Sequence, residues 1–298
     1  MPGKPFPRWL SIAILLAIAT TFGSNHIAAR VAFDHGVNVT TAVAARSIGA
    51  ALLVGALLAA ARVPFALARA TRWRAIAVGV LIAVQSYCLY SAVARIPVAL
   101  ALLAFNSFPM MFSLISWAAG SERPARRAVI AMPLALCGLA LALDVFGAHG
   151  IVAGRWAEIG AGVGYALGAA VSFATALFFT SRWLKDVDGR LRTFLTMSTV
   201  AVLMLAAGLV AGNLTLPSNP AAWLGLGLLT LFYGTAFTAL FVLLPRLDAL
   251  NNSAALNFEP IAVLFLAWPI LGQSVAPQQI VGALVVVGAV IALGTAKR

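Results

Sequence analysis

Charge is what this chain has least of. Only 9% of its 298 residues are charged, where an ordinary soluble domain carries about 25%. With 62% apolar residues, too little polar surface remains to cover a water-facing globule, so the expected solvent is mostly lipid. Cysteine is nearly absent as well: Cys88 and Cys137 both lie in apolar stretches, which implies no disulfide framework. Acidic residues are the scarcest charges, 8 against 20 Lys plus Arg, giving a formal net charge of +12. In a soluble protein that excess would suggest nucleic acid; in a membrane protein it belongs in the cytoplasmic loops.

Long apolar runs are what the chain does have. A helix crosses a hydrocarbon core of roughly 30 Å with about 20 apolar residues. By that rule spans are expected at 9–33, 40–61, 73–94, 97–119, 127–146, 158–183, 193–212, 221–244, 251–271 and 278–296. Ten such helices leave only short connections and no room for a soluble catalytic domain. The first run is too long for the apolar segment of a signal peptide, so it is kept as structure. Sixteen of the twenty basic residues fall in the loops and ends of one side. The other side holds Arg30, Arg95 and Arg155, and Arg46 lies inside the second span. Both termini are therefore expected in the cytoplasm, as a multi-pass protein of a bacterial-type inner (plasma) membrane. Charge that follows loop alternation also excludes nucleic acid as a partner.

The two halves match at a fixed offset of 151 residues: Phe22 with Phe173, Arg95 with Arg246, Asn106 with Asn257 and Pro109 with Pro260. Two domains follow, 1–148 and 149–298, each of five spans. An odd number of spans forces the second copy to insert upside down, an inverted repeat of the kind that builds a substrate site at the midplane. Both halves of the site lie in one chain, so a monomer is expected to suffice.

Ten spans in a five-plus-five inverted repeat, Arg46 early in the second span, the Pro109 and Pro260 helices, and Asn257-Phe258-Glu259-Pro260 followed by an apolar run and Gly272 resemble the EamA family of the drug/metabolite transporter superfamily. The resemblance covers nearly the whole chain and implies an all-α secondary transporter. The aromatic content of the central spans is most similar to YddG-type exporters of aromatic and other amino acids. The first span lacks the membrane-embedded Glu by which the small multidrug-resistance branch couples to protons; its polar residues are Ser24, Asn25 and His26.

Polar groups in lipid are costly, so each is a site candidate. Asn25 and His26 either line a vestibule or bond a neighbouring helix. Asn106 and Asn257 stand three residues before prolines that kink a helix, and either meet a ligand or satisfy the kinked backbone; Pro109 and Pro260 would serve as hinges. Glu259, the acid well inside a span, reads either as a proton-coupling or amine-binding carboxylate or as a structural anchor, and no partner for Arg46 can be named. Aromatic stripes at helical spacing, Tyr87 and Tyr90, Phe105 and Phe108, Tyr233, Phe237 and Phe241, with Phe173 on the sixth span, suit an amphipathic ligand or simple packing. Gly160, Gly164, Gly168 and Ser172 recur every four residues and read as a close helix contact.

The leading expectation is a transporter exporting small organic metabolites, amino acids included, with exporters of drugs or other metabolites as the alternative. An enzyme is not expected: the histidines at 26, 35 and 149 come without an HExxH motif or a carboxylate pair at membrane depth, and no metal or cofactor site is implied. A channel would need sustained current.

Overall fold

The computed structural model describes residues 6–120, 134, 137–138, 141, 156–243, 247, 258–273 and 276–294. Among these, every regular element is helical: α1 (Arg8–Asp34), α2 (Val39–Ala60), α3 (Arg69–Arg95), α4 (Val98–Phe105), α5 (Phe108–Ala118), α6 (Trp156–Trp183), α7 (Gly189–Val210), α8 (Pro220–Leu243), α9 (Glu259–Leu271) and α10 (Pro277–Gly294). Counting α4 and α5 as one span, seven stretches are long and apolar enough to cross a membrane, and α9 and α10 are shorter apolar helices. Most of the expected span at 127–146 lies outside the described residues, as do Asn257 and the side chain of Phe241.

Local chemistry sets the helix ends. Asn38 accepts a hydrogen bond from the Thr41 amide at the start of α2 (2.8 Å), and Asn219 does the same for Ala222 in α8 (2.9 Å). Asp188 caps α7 through the Arg190 amide, and that hydrogen bonding, with the Arg190 side chain leading, holds the Asp188 carboxyl below its usual range.

The expected kink at Pro109 is instead a full break. Helix α4 ends at Asn106, and α5 restarts with Pro109 in its first turn, where a missing N–H costs nothing. Side chains add to the backbone bonds that close the last turn of α4: Asn106 donates to the Leu102 oxygen (2.9 Å) and Ser107 to that of Ala104 (2.8 Å), each of which also accepts a backbone N–H. Pro260 holds the same place in α9. The two helices begin with Phe108-Pro109 and Glu259-Pro260, 151 residues apart.

The packing obeys the same shift. α3 lies along α6 and α1 along α8, the two most extensive contacts; the offset carries each pair into the other. α2 against α7 maps onto itself, and α3·α7 maps onto α2·α8. Single residues repeat the pattern. Gly79 of α3 lies under Thr199 of α7, and Gly49 of α2 lies under Thr230 of α8. Both threonines turn their hydroxyls back to their own helix, at Leu195 and Leu226; Thr230 presents its methyl to Gly49, and Thr199 sits over Gly79 side-on.

One pair of equivalent turns sets Arg62 against Gly212, an offset of 150 that is one residue short of the repeat shift, and carries a cost. After α2 and α7 the chain turns through the left-handed region, Gly212 with φ 62° and Arg62 with φ 50°, with matching backbone hydrogen bonds from Arg62 and Val63 and from Gly212 and Asn213. A side chain there is strained by about 1 kcal/mol. Arg62→Gly is therefore expected to stabilise the protein by up to about 1 kcal/mol, read as a higher thermal-unfolding midpoint in detergent.

The small-residue stripe on α6 is corrected. Gly164 and Gly168 are exposed among the described residues, and a Cβ on Gly164 would meet nothing within 4 Å. The close approach is made one face over by Gly162, which packs on Ile96, with Ala166 and Ala169 buried beside it. Ser172, the last stripe residue, does turn inward and donates to the Leu81 oxygen (2.8 Å).

Candidate functional site

Where α1, α2, α3, α8 and α9 converge, polar side chains are buried with few partners. Arg46 of α2, only 3% exposed, is held between two phenol rings: its guanidinium carbon lies 4.4 Å from the ring centre of Tyr90 on α3 and 4.0 Å from that of Tyr233 on α8. One guanidinium nitrogen donates to the Ser86 hydroxyl (2.7 Å), which in turn donates to Gln85 (3.3 Å). The Tyr90 hydroxyl donates to Asn25 Oδ1 on α1 (2.8 Å). At the next residue of α1, His26 Nε2 lies 3.2 Å from Glu259 Oε1. Glu259 stands in the first turn of α9, where the exposed amide dipoles of the helix favour a carboxylate. The His26 and Tyr90 rings are 5.5 Å apart, so the two polar groups form one cluster around Tyr90.

An aromatic group adjoins this cluster through Tyr233. Phe22 of α1 meets Phe237 (5.1 Å) and Tyr233 (6.2 Å) edge to face, and Tyr233 meets Phe237 (4.7 Å). The Tyr233 hydroxyl donates to the Met197 sulfur of α7 (3.6 Å).

This cluster departs from the repeat symmetry that the backbone keeps. Asn25, His26, Arg46 and Ser86 lie on the first half; 151 residues on stand Ala176, Leu177, Met197 and Phe237. The first half supplies most of the buried polar groups together with Phe22, and the second half supplies Tyr233, Phe237 and Met197, with Glu259 as its charged contribution.

Of the residues expected at a site, Asn25, His26, Tyr90, Tyr233, Phe237 and Glu259 are brought together here. Phe105, Phe108 and Phe173 form a separate aromatic group (4.9–5.5 Å between ring centres) at the α4–α5 break against α6. Tyr87 does not reach the cluster: at 39% exposure it faces outward from α3. Asn106 spends an amide hydrogen on its own helix, the local alternative to a ligand. Sequence reasoning missed the role of Phe22, Gln85 and Met197 and the pairing of His26 with Glu259. The offset held one signal: Arg46 and Met197 are mates.

A family model described as the EamA-like transporter family matches residues 9–143 and again 160–295. The chain belongs to that family. The double match is the two-repeat architecture that the packing displays, and membership makes this EamA protein a transporter of the drug/metabolite superfamily rather than an enzyme. No curated protein matches it in sequence. A solved structure, titled only as the crystal structure of a protein, is similar over 97% of this chain and 98% of its own, with a TM-score of 0.65 and 18% identity; it shares the fold.

Proposed function

We propose that this EamA-family transporter exports small amphipathic metabolites, aromatic and other neutral amino acids among them. Its two halves, 1–148 and 149–298 in inverted orientation, would alternate access to the chamber around Arg46, Tyr90 and Tyr233. The observation that carries the reading is the meeting of polar and aromatic groups: the Arg46 guanidinium lies over the Tyr90 and Tyr233 rings, Tyr90 donates to Asn25, and Tyr233 packs on Phe22 and Phe237, so that a zwitterion with an apolar side chain complements both kinds of group. A cationic drug would meet the buried charge of Arg46, which argues against the alternative of a general drug exporter. Export as the direction follows the resemblance to amino-acid exporters. Sixteen basic residues on one set of loops support cytoplasmic termini in a plasma membrane, and a single chain that supplies both kinds of group supports a working monomer.

Purified protein in liposomes is the test. Wild type is expected to move labelled phenylalanine and methionine. Phe237→Ala removes one aromatic contact of the kind that contributes about 0.5–1.5 kcal/mol, so phenylalanine flux should fall about threefold to tenfold while alanine flux changes little. Equal slowing of both would mean general damage and would count against an aromatic contact. An imposed pH gradient applied to wild type and Glu259→Gln separates proton exchange from a uniporter.

A further inference from the structure

Arg46 carries a charge that the fold does not require. Its mate under the 151-residue shift is Met197, and α2 and α7 pack on each other at the self-matched contact of the structure. The same backbone position is thus filled once by a thioether and once by a guanidinium. A buried guanidinium is costly unless its donors are met. Here one nitrogen reaches Ser86 and two ring faces cover the plane, but Nε has no partner, and no carboxylate lies within ion-pair distance among the described residues.

A second unmet donor lies across the same tyrosine. Asn25 is fully buried, and its Oδ1 is taken by the Tyr90 hydroxyl, which leaves the two hydrogens of Nδ2 without an acceptor. Its mate is Ala176, so the fold does not need an amide there either. Tyr90 fixes both groups, Asn25 through its hydroxyl and Arg46 through its face. The unsatisfied groups flanking it are N–H donors, one of them charged. Donors of this kind are what a planar two-oxygen anion accepts from.

We propose that Arg46 Nε and Asn25 Nδ2 form the subsite for a carboxylate, the carboxylate of an amino acid or another organic acid whose apolar part lies against Phe22, Tyr233 and Phe237. The assignment deepens the amino-acid reading and rests on the same chamber. It makes Arg46 the discriminator between an acid and its amide or amine.

Binding of 3-phenylpropionate, with 3-phenylpropionamide as the neutral control, tests it on purified protein in detergent by ligand-induced thermal stabilisation. Wild type is expected to be stabilised by the acid and not by the amide. Arg46→Met and Asn25→Ala copy the residues of the other half, so both are expected to fold. Arg46→Met should weaken acid binding at least about tenfold, as loss of a charge-assisted hydrogen bond implies, and Asn25→Ala several-fold. Arg46→Lys, which keeps charge but lacks Nε, should fall between wild type and Arg46→Met. Equal binding of acid and amide by wild type, or wild-type acid affinity in folded Arg46→Met, would overturn the subsite. Acid binding lost on Arg46→Met, in a protein that moves no amino acid in liposomes, would uphold the subsite and refute the amino-acid reading.

Discussion

Glu259→Phe is expected to destabilise the protein and abolish transport, whereas adding His26→Leu restores most of the stability and none of the transport. The two replacements copy Phe108 and Leu177, the residues at the corresponding positions of the other half. Glu259 meets His26 across the α1–α9 contact (3.2 Å). Removing it leaves an almost fully buried imidazole with no acceptor for its Nε2 proton, and Nδ1 already has no partner. Leaving such a group unsatisfied costs about 1–3 kcal/mol; the 28% exposure of the Glu259 side chain argues for the lower half of that range. Replacing both partners by apolar groups removes the penalty. Thermal unfolding of the two single variants and the double variant measures this as a cycle. Additive losses would show that the pair is not coupled.

The second large effect lies in the scaffold. A Cβ on Gly225 would stand 2.7 Å from the Ala32 backbone nitrogen, 2.9 Å from its Cα and 3.0 Å from the Ala28 oxygen. These are main-chain atoms of α1, so no side-chain rotation relieves the clash. α1 and α8 would have to separate along one of the two longest contacts in the protein. Gly225→Val is expected to cost about 3 kcal/mol or more, lowering the unfolding midpoint by several degrees and slowing transport with it. Gly227, two residues on in the same helix, has nothing within 4 Å of its Cβ position, and Gly227→Ala should change little. Equal effects at the two positions would contradict the packing.

How far this could be read beforehand depends on what hydropathy encodes. The first three spans were legible to within four residues at either end, because a run of apolar residues is bounded by arginines, turn residues and caps; 9–33 became Arg8–Asp34 and 40–61 became Val39–Ala60. The offset of 151 was legible in Pro109 and Pro260 and returned as two helices starting in register. Facing was not legible. In lipid the outward surface of a helix is as apolar as its packed surface, so hydropathy marks no side. Tyr87 and Tyr90 stand only about 60° apart on α3, yet the boundary runs between them, leaving one exposed and one fully buried. The four-residue stripe on α6 failed for the same reason. Pairings across helices were also hidden: Arg46, Tyr90 and Tyr233 come from three helices and meet only through the α2–α3 and α2–α8 contacts.

Counterflow of labelled phenylalanine into proteoliposomes preloaded with unlabelled phenylalanine tests most directly that this chamber carries amino acids across the membrane. Wild type should show a transient accumulation of label above the outside concentration, lost in Arg46→Met. Absence of accumulation with every neutral amino acid, in protein shown to be folded, would contradict it.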